Sequence, residues 1–100
     1  MAGRIVWSDR AIEDLKGIAA YIGADSEFYA RRTVKAIRRA AERLRTFPLS
    51  GAVVPEYGRD DLREVLWRSY RIFYTCHREQ VHIVSVRHGG RQLPDDLLKS

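Results

Sequence analysis

Apolar residues at Ala11, Leu15, Ile18 and Ile22 recur at intervals of four, three and four, the spacing of one stripe along a 3.6-residue helix. Ser8-Asp9 before them are residues of a helix N-cap and first turn, and Gly23 after them fits a C-terminal cap. A second start signal, Asp25-Ser26, precedes a second stripe at Ala30, Val34, Ile37, Ala41 and Leu44. Phe47-Pro48 closes it, because the residue before a proline is pushed out of the helical region. Two amphipathic helices joined by so short a turn pack as an antiparallel pair. Before them, residues 4–7 (Arg-Ile-Val-Trp) are short and β-prone. Residues 46–61 carry Pro48, Gly51, Pro55 and Gly58 and read as a long irregular loop, a length that is often functional inside a small domain. Three β-prone runs follow, at 62–67, 70–77 and 80–88. Arg68-Ser69 and Arg78-Glu79 are short enough to make both connections hairpins, although neither is the favoured Asn-Gly turn. The tail from Gly89 reads as irregular or weakly helical. The predicted order is β-α-α-β-β-β, with no internal repeat.

Composition narrows the functional classes. A chain of 100 residues suits a single domain over 1–100, and 45% hydrophobic with 31% charged residues is the balance of a globular protein. One cysteine, Cys76, excludes an internal disulfide framework and fits a reducing compartment. No apolar run reaches the length of a membrane span, and Arg4 with Ser8-Asp9-Arg10 interrupts any signal-like start. The expectation is a cytoplasmic protein without membrane partners.

The net charge of +5 is distributed unevenly, and fifteen of the 18 basic residues are arginine. Residues 28–45 hold seven basic groups against one acidic, and 67–92 hold five against one. On the second helix Arg31, Arg32, Lys35, Arg38, Arg39, Arg43 and Arg45 surround the apolar stripe. They fit either a solvated face whose stems shield the core edge or a docking surface for an acidic protein segment or nucleic acid. With only Phe28 and Tyr29 nearby, a base-stacking platform is not indicated there.

The strand cluster Arg68, Tyr70, Arg71, Arg87, His88 and Arg91 carries more information. Alternation puts Tyr70, Ile72 and Tyr74 on one face and Arg71 with Phe73 on the other. Arg87 and His88 can meet Arg71 across a tight hairpin. Such a group can clamp a phosphate or carboxylate. Equally, Arg71 can pair with Glu64 or Asp60 and tie the loop down. His77, His82, His88 and Cys76 have no recognised metal-ligand spacing, and neither a P-loop nor a dinucleotide fingerprint is present, so no metal or cofactor is expected. General acid-base work would fall to His88, Glu56 or Glu64.

Several ordered stretches resemble the ParE/RelE superfamily of bacterial type II toxins, closest to the ParE branch. They are Trp7-Ser8 with Ala11, Asp14-Leu15 and residues 18–22; residues 41–44 with Phe47-Pro48; Ser50-Gly51 with Val54-Pro55-Glu56; and residues 62–64. The strand motif at 70–74 and the ending at 86–91 complete the set. The resemblance implies an α+β fold, a helical hairpin packed on a mainly antiparallel four-stranded sheet, and neutralisation by a cognate antitoxin encoded beside the toxin. ParE-like members are associated with inhibition of DNA gyrase by protein binding, whereas RelE-like members cut messenger RNA in the ribosome.

A ribonuclease site would draw on Arg71, Arg87, His88 and Glu56. The chain keeps Arg71, but Val65 and Leu66 stand where that branch would place lysines, and no tyrosine follows Tyr74. The gyrase reading is therefore preferred, with no sequence-specific DNA binding expected from this chain alone. Arg68, Tyr70, Arg71, Arg87, His88 and Arg91 are the expected target contacts, and Arg31, Lys35, Arg38 and Arg39 the expected antitoxin contacts.

Overall fold

Ser8 decides where the first strand stops. Its Oγ accepts from the Ala11 N–H at 3.0 Å and donates to the Val84 carbonyl at 2.9 Å, so one hydroxyl starts a helix and ties that start to the sheet. The computed structural model, which describes residues 3–94 and Leu97, places β1 at Arg4–Trp7 and α1 at Asp9–Gly23 on either side of it. Ser26 repeats the device, accepting from the Tyr29 N–H at 3.2 Å to open α2, Glu27–Glu42. That helix tightens into a 3₁₀ turn, Arg43–Arg45, before Phe47-Pro48.

Gly23 does not act as the left-handed cap expected of it. Gly23 is the last residue of α1, and Ala24 caps the helix in the right-handed region. The N–H groups of Asp25 and Ser26 return to the Ile22 carbonyl, so the terminal acceptors are met without a positive φ. A Cβ at Gly23 would meet that of Ala30 at an ordinary contact distance of 3.8 Å, so packing against α2 does not demand glycine there.

The sheet is completed by β2 (Ala52–Val53), β3 (Arg63–Trp67), β4 (Tyr70–His77) and β5 (Gln80–His88), in the order β1-β5-β4-β3-β2. β1 runs parallel to β5, and every other pair is antiparallel. The expected α+β architecture forms, and the sheet gains its fifth strand from within the long loop. Gly51 allows this: a Cβ there would lie 2.6 Å from both the Glu64 carbonyl and the Tyr74 hydroxyl. Without one, its N–H donates to Tyr74 Oη at 2.9 Å.

Both faces of the sheet are covered. Ala11, Ile37, Ala41 and Leu44 from the helices bury Ile72, Tyr74, Val81, Ile83 and Val86. On the opposite face Val54 and Leu62 of the loop, with Leu97, bury Phe73 and Val84. An irregularity in the β4–β5 register lets both arrangements coexist. Tyr74 pairs with Ile83 but Phe73 pairs with Ser85, so Val84 is an extra residue that shifts the alternation. Ile83 and Val86 thereby both reach the helices while Val84 faces the loop. Beyond Pro94, the tail lies outside the described residues apart from Leu97.

Both residues of the β4–β5 turn have positive φ, 50° at Arg78 and 64° at Glu79, the geometry of a type I′ turn built without glycine. L side chains are strained there. Glu79→Gly is expected to raise stability by about 1 kcal/mol, seen as a Tm increase of about 4–8 °C in a thermal melt. An unchanged or lower Tm would contradict the strain.

Candidate functional site

The sheet separates the residues that sequence reasoning grouped together. Arg71 and Arg87 are direct partners in the β4–β5 register, as are Tyr70 and His88. Arg71, however, turns its guanidinium to the loop side, over the Phe73 ring at 4.9 Å. There its Nε and Nη2 donate to Glu64 at 2.6 and 3.0 Å, and its Nη1 and Nη2 donate to Glu56 at 2.7 and 2.9 Å. Arg71 and Glu64 are nearly buried, at 13% and 11% side-chain exposure, while Glu56 is half exposed. Hydrogen bonding from Arg71 holds the Glu56 carboxyl down to about 2. The same bonds, to Glu56 and then Glu64, raise the already high Arg71 value further. Arg71 therefore clasps the long loop to β4 through its bidentate pair with Glu56, while a second bidentate pair joins it to Glu64 of the neighbouring strand β3. Glu64 was one of the two partners the sequence offered for it; Glu56 takes the place of Asp60.

Tyr70, Arg87, His88 and Arg91 gather elsewhere, in a cleft of about 530 Å³ between α1 and the end of the β4–β5 hairpin. Its other wall is Gly17, Ile18 and Tyr21 of α1, with Glu13 and Asp14 at one end. Tyr70 stacks on Trp67 at 6.5 Å between ring centres and meets His88 edge-on at 5.6 Å. Arg68 lies over Trp67 at 5.0 Å, next to this row but outside the lining of the cleft. Asp14 anchors the α1 wall. β1 ends opposite Ile83, leaving the rest of β5 without a neighbouring strand on that side. One Asp14 oxygen accepts there from the Ser85 hydroxyl at 2.6 Å and from the Val86 N–H at 2.9 Å.

The basic residues of α2 flank a different depression. Ala19, Ala20 and Gly23 of α1 face Ala30 and Val34 of α2 across a groove of about 630 Å³, with Arg31 and Lys35 at its border. A second hollow of about 400 Å³, lined by Trp7, Ile12, Leu15 and Arg38, shares Ala19 and Val34 with the first, so the two run on along the hairpin. Of the four expected antitoxin contacts, Arg31, Lys35 and Arg38 line this groove and Arg39 does not. Glu27 also lines the first groove and pairs with Arg31 at 3.6 Å, so Lys35 and Arg38 are the lining cations without an acidic partner among the described residues, and with the apolar floor they match an amphipathic acidic segment.

Sequence reasoning missed the role of Asp14 and the contribution of Gly17 and Tyr21 to the cleft. Two signals were available. Asp14 falls three residues after Ala11 and four before Ile18, a carboxylate on the flank of the buried stripe. Gly17 interrupts a helix interior, where glycine is unfavourable.

The sequence model of the family described as ParE toxin of type II toxin-antitoxin system, parDE, matches residues 5–93. Toxin RelE2 of Caulobacter vibrioides is 36% identical over 89 residues, covering 88% of this chain and 97% of that protein. Among solved structures, a chain of the chromosomal ParDE TA system from P. aeruginosa superposes with a TM-score of 0.72 at 19% identity, covering 87% of this chain and 96% of that one. That likeness gives the same fold, while the sequence match extends through nearly all of β1 to β5 and the segment after it. The chain therefore belongs to the ParE family of type II toxins.

Proposed function

We propose that this toxin acts by binding a protein target, DNA gyrase, and that a cognate antitoxin neutralises it by laying an acidic amphipathic segment into the groove of the helical hairpin. Membership of the ParE family supports the gyrase assignment. The observation that carries binding over catalysis is the double carboxylate clasp on Arg71. Catalysis of RNA cleavage needs cationic donors free to meet the developing phosphorane charge, and this guanidinium already spends four hydrogen bonds on Glu56 and Glu64. In a supercoiling reaction with purified gyrase, a molar excess of the toxin should suppress supercoiling and trap cleaved DNA. Full supercoiling at excess would overturn the target assignment. The alternative, a ribosome-dependent endoribonuclease like the RelE-like members of the superfamily, would instead give new 5′ ends in primer extension on translated messages.

For the antitoxin surface, Arg31→Glu with Arg38→Glu should weaken the complex with the product of the adjacent reading frame by about tenfold or more and flatten its salt dependence. Arg39→Glu, outside the groove, should change affinity less. Titration at two salt concentrations checks both, and equal effects of the two sets would remove the groove from the interface.

A further inference from the structure

Gly17 sits in the middle of α1, where an alanine would favour the helix. Its φ is not positive, and a Cβ built on it meets nothing within 4 Å. Neither backbone conformation nor close packing requires glycine here. The missing side chain instead deepens the cleft between α1 and the β4–β5 end.

The surroundings define what fits. Ile18, Val86 and the two tyrosines, Tyr21 and Tyr70, offer apolar surface, while Arg87 and Arg91 stand at the rim. Neither arginine has a carboxylate partner among the described residues; Arg87 reaches only the Ser85 hydroxyl, at 3.2 Å. The local carboxylates are engaged, Glu13 with Lys16 at 3.6 Å and Asp14 with β5. Tyr70 is already held between Trp67 and His88 and packs on the core, which leaves it poorly placed to stack a nucleobase.

We infer that this cleft takes a bulky apolar side chain from an acidic segment of the toxin's target protein, and that Gly17 sets the depth to which it enters. The inference rests on the reading that the target is a protein. It assigns the cleft to the target because the proposed antitoxin groove lies on the other flank of α1 and carries its own cations, Arg31, Lys35 and Arg38. Gly17 thus gives up helix stability for a contact surface.

Filling the notch separates stability from action. Gly17→Ala should raise Tm by about 4–8 °C. Gly17→Leu should remain folded, with a Tm no lower than that of the parent, yet need at least about tenfold more protein to slow bacterial growth on induction. Arg87→Glu with Arg91→Glu should show the same loss. A folded Gly17→Leu protein that slows growth as well as the parent overturns the inference. Growth inhibition unchanged, with lost capture of the adjacent reading frame's product or lost self-association in sedimentation, also overturns it by assigning the cleft to the antitoxin or to a second copy. If the parent slows growth without affecting gyrase, the gyrase assignment fails while the Gly17→Leu growth result still decides the cleft.

Discussion

Arg71→Ala is expected to lower the unfolding free energy by about 3–5 kcal/mol, because it strands the nearly buried Glu64 carboxylate without its counter-charge. It also releases Glu56, and with it the clasp on the loop that covers Phe73. Against a total stability of about 5–15 kcal/mol for a small domain, such a loss removes a large share of the margin. Urea denaturation should show the midpoint falling sharply for Arg71→Ala and less for Arg71→Lys, which keeps the charge but not the fork. A midpoint within experimental error of the parent would refute the clasp. One practical consequence bears on mechanism: lost toxicity in Arg71→Ala would report unfolding before it reported a missing catalytic cation.

The clasp also has a pH signature. Glu56 titrates near 2 in the folded chain against an ordinary value of 4.5. Its folded value lies below its unfolded one, so its stabilisation is complete above about pH 4.5 and is lost as the pH falls towards 2. The carboxylate is 46% exposed and water screens the pair, so the amount is of order 1 kcal/mol. Glu56→Gln should lower neutral-pH stability by that amount and flatten the acid limb of the stability profile.

The second large effect is expected at Asp14. Asp14→Ala removes the acceptor for the Val86 N–H and the Ser85 hydroxyl at a point where β5 has no neighbouring strand on the β1 side. Hydrogen bonds to a charged acceptor contribute about 1.5–3 kcal/mol each, and Ser85 keeps its contact with Arg87, so a loss of about 2–4 kcal/mol is expected. Hydrogen exchange gives a local readout: the Val86 amide should exchange faster than its strand neighbours. Asp14→Asn, whose amide oxygen still accepts, should recover part of the protection. Normal protection at Val86 in Asp14→Ala would show that another group holds α1 against the strand.

Much of this architecture is legible in the chain because it follows from local rules. The stripes from Ala11 to Ile22 and from Ala30 to Leu44 define two helices, and Ser8 and Ser26 cap them as their residue types allow. The hairpin runs appear where expected. What escaped depends on contacts between distant segments. β2 exists because Gly51 permits a close approach to β3 and Tyr74, which no two-residue stretch announces. The displaced alternation at Val84 is invisible in Val81-His82-Ile83-Val84-Ser85-Val86, where every second position can be read in either phase. The same limit applies to the site. Alternation already places Arg71 opposite Tyr70, but it does not show that Arg87, the register partner of Arg71, lines the cleft with Tyr70, His88 and Arg91 while the loop supplies Glu56 to Arg71. Asp60 and Glu56 are equally plausible loop partners until the chain's path is known.

The parallel pairing of β1 with β5 has a consequence for synthesis. Arg4 meets Gln80 and Trp7 meets Ile83, so β1 leaves the ribosome well before its partner β5, the last strand of the sheet in chain order. Closing so long a loop is a late and slow event in folding, and the hairpins of β3, β4 and β5 must be available before it can occur. The α1 wall of the cleft is tied to that same closure through Ser8 and Asp14, both of which bond to β5. A chain whose translation stops short of residue 80 lacks the strand that Ser8 and Asp14 bond to, so its synthesis yields no assembled cleft until β5 has emerged.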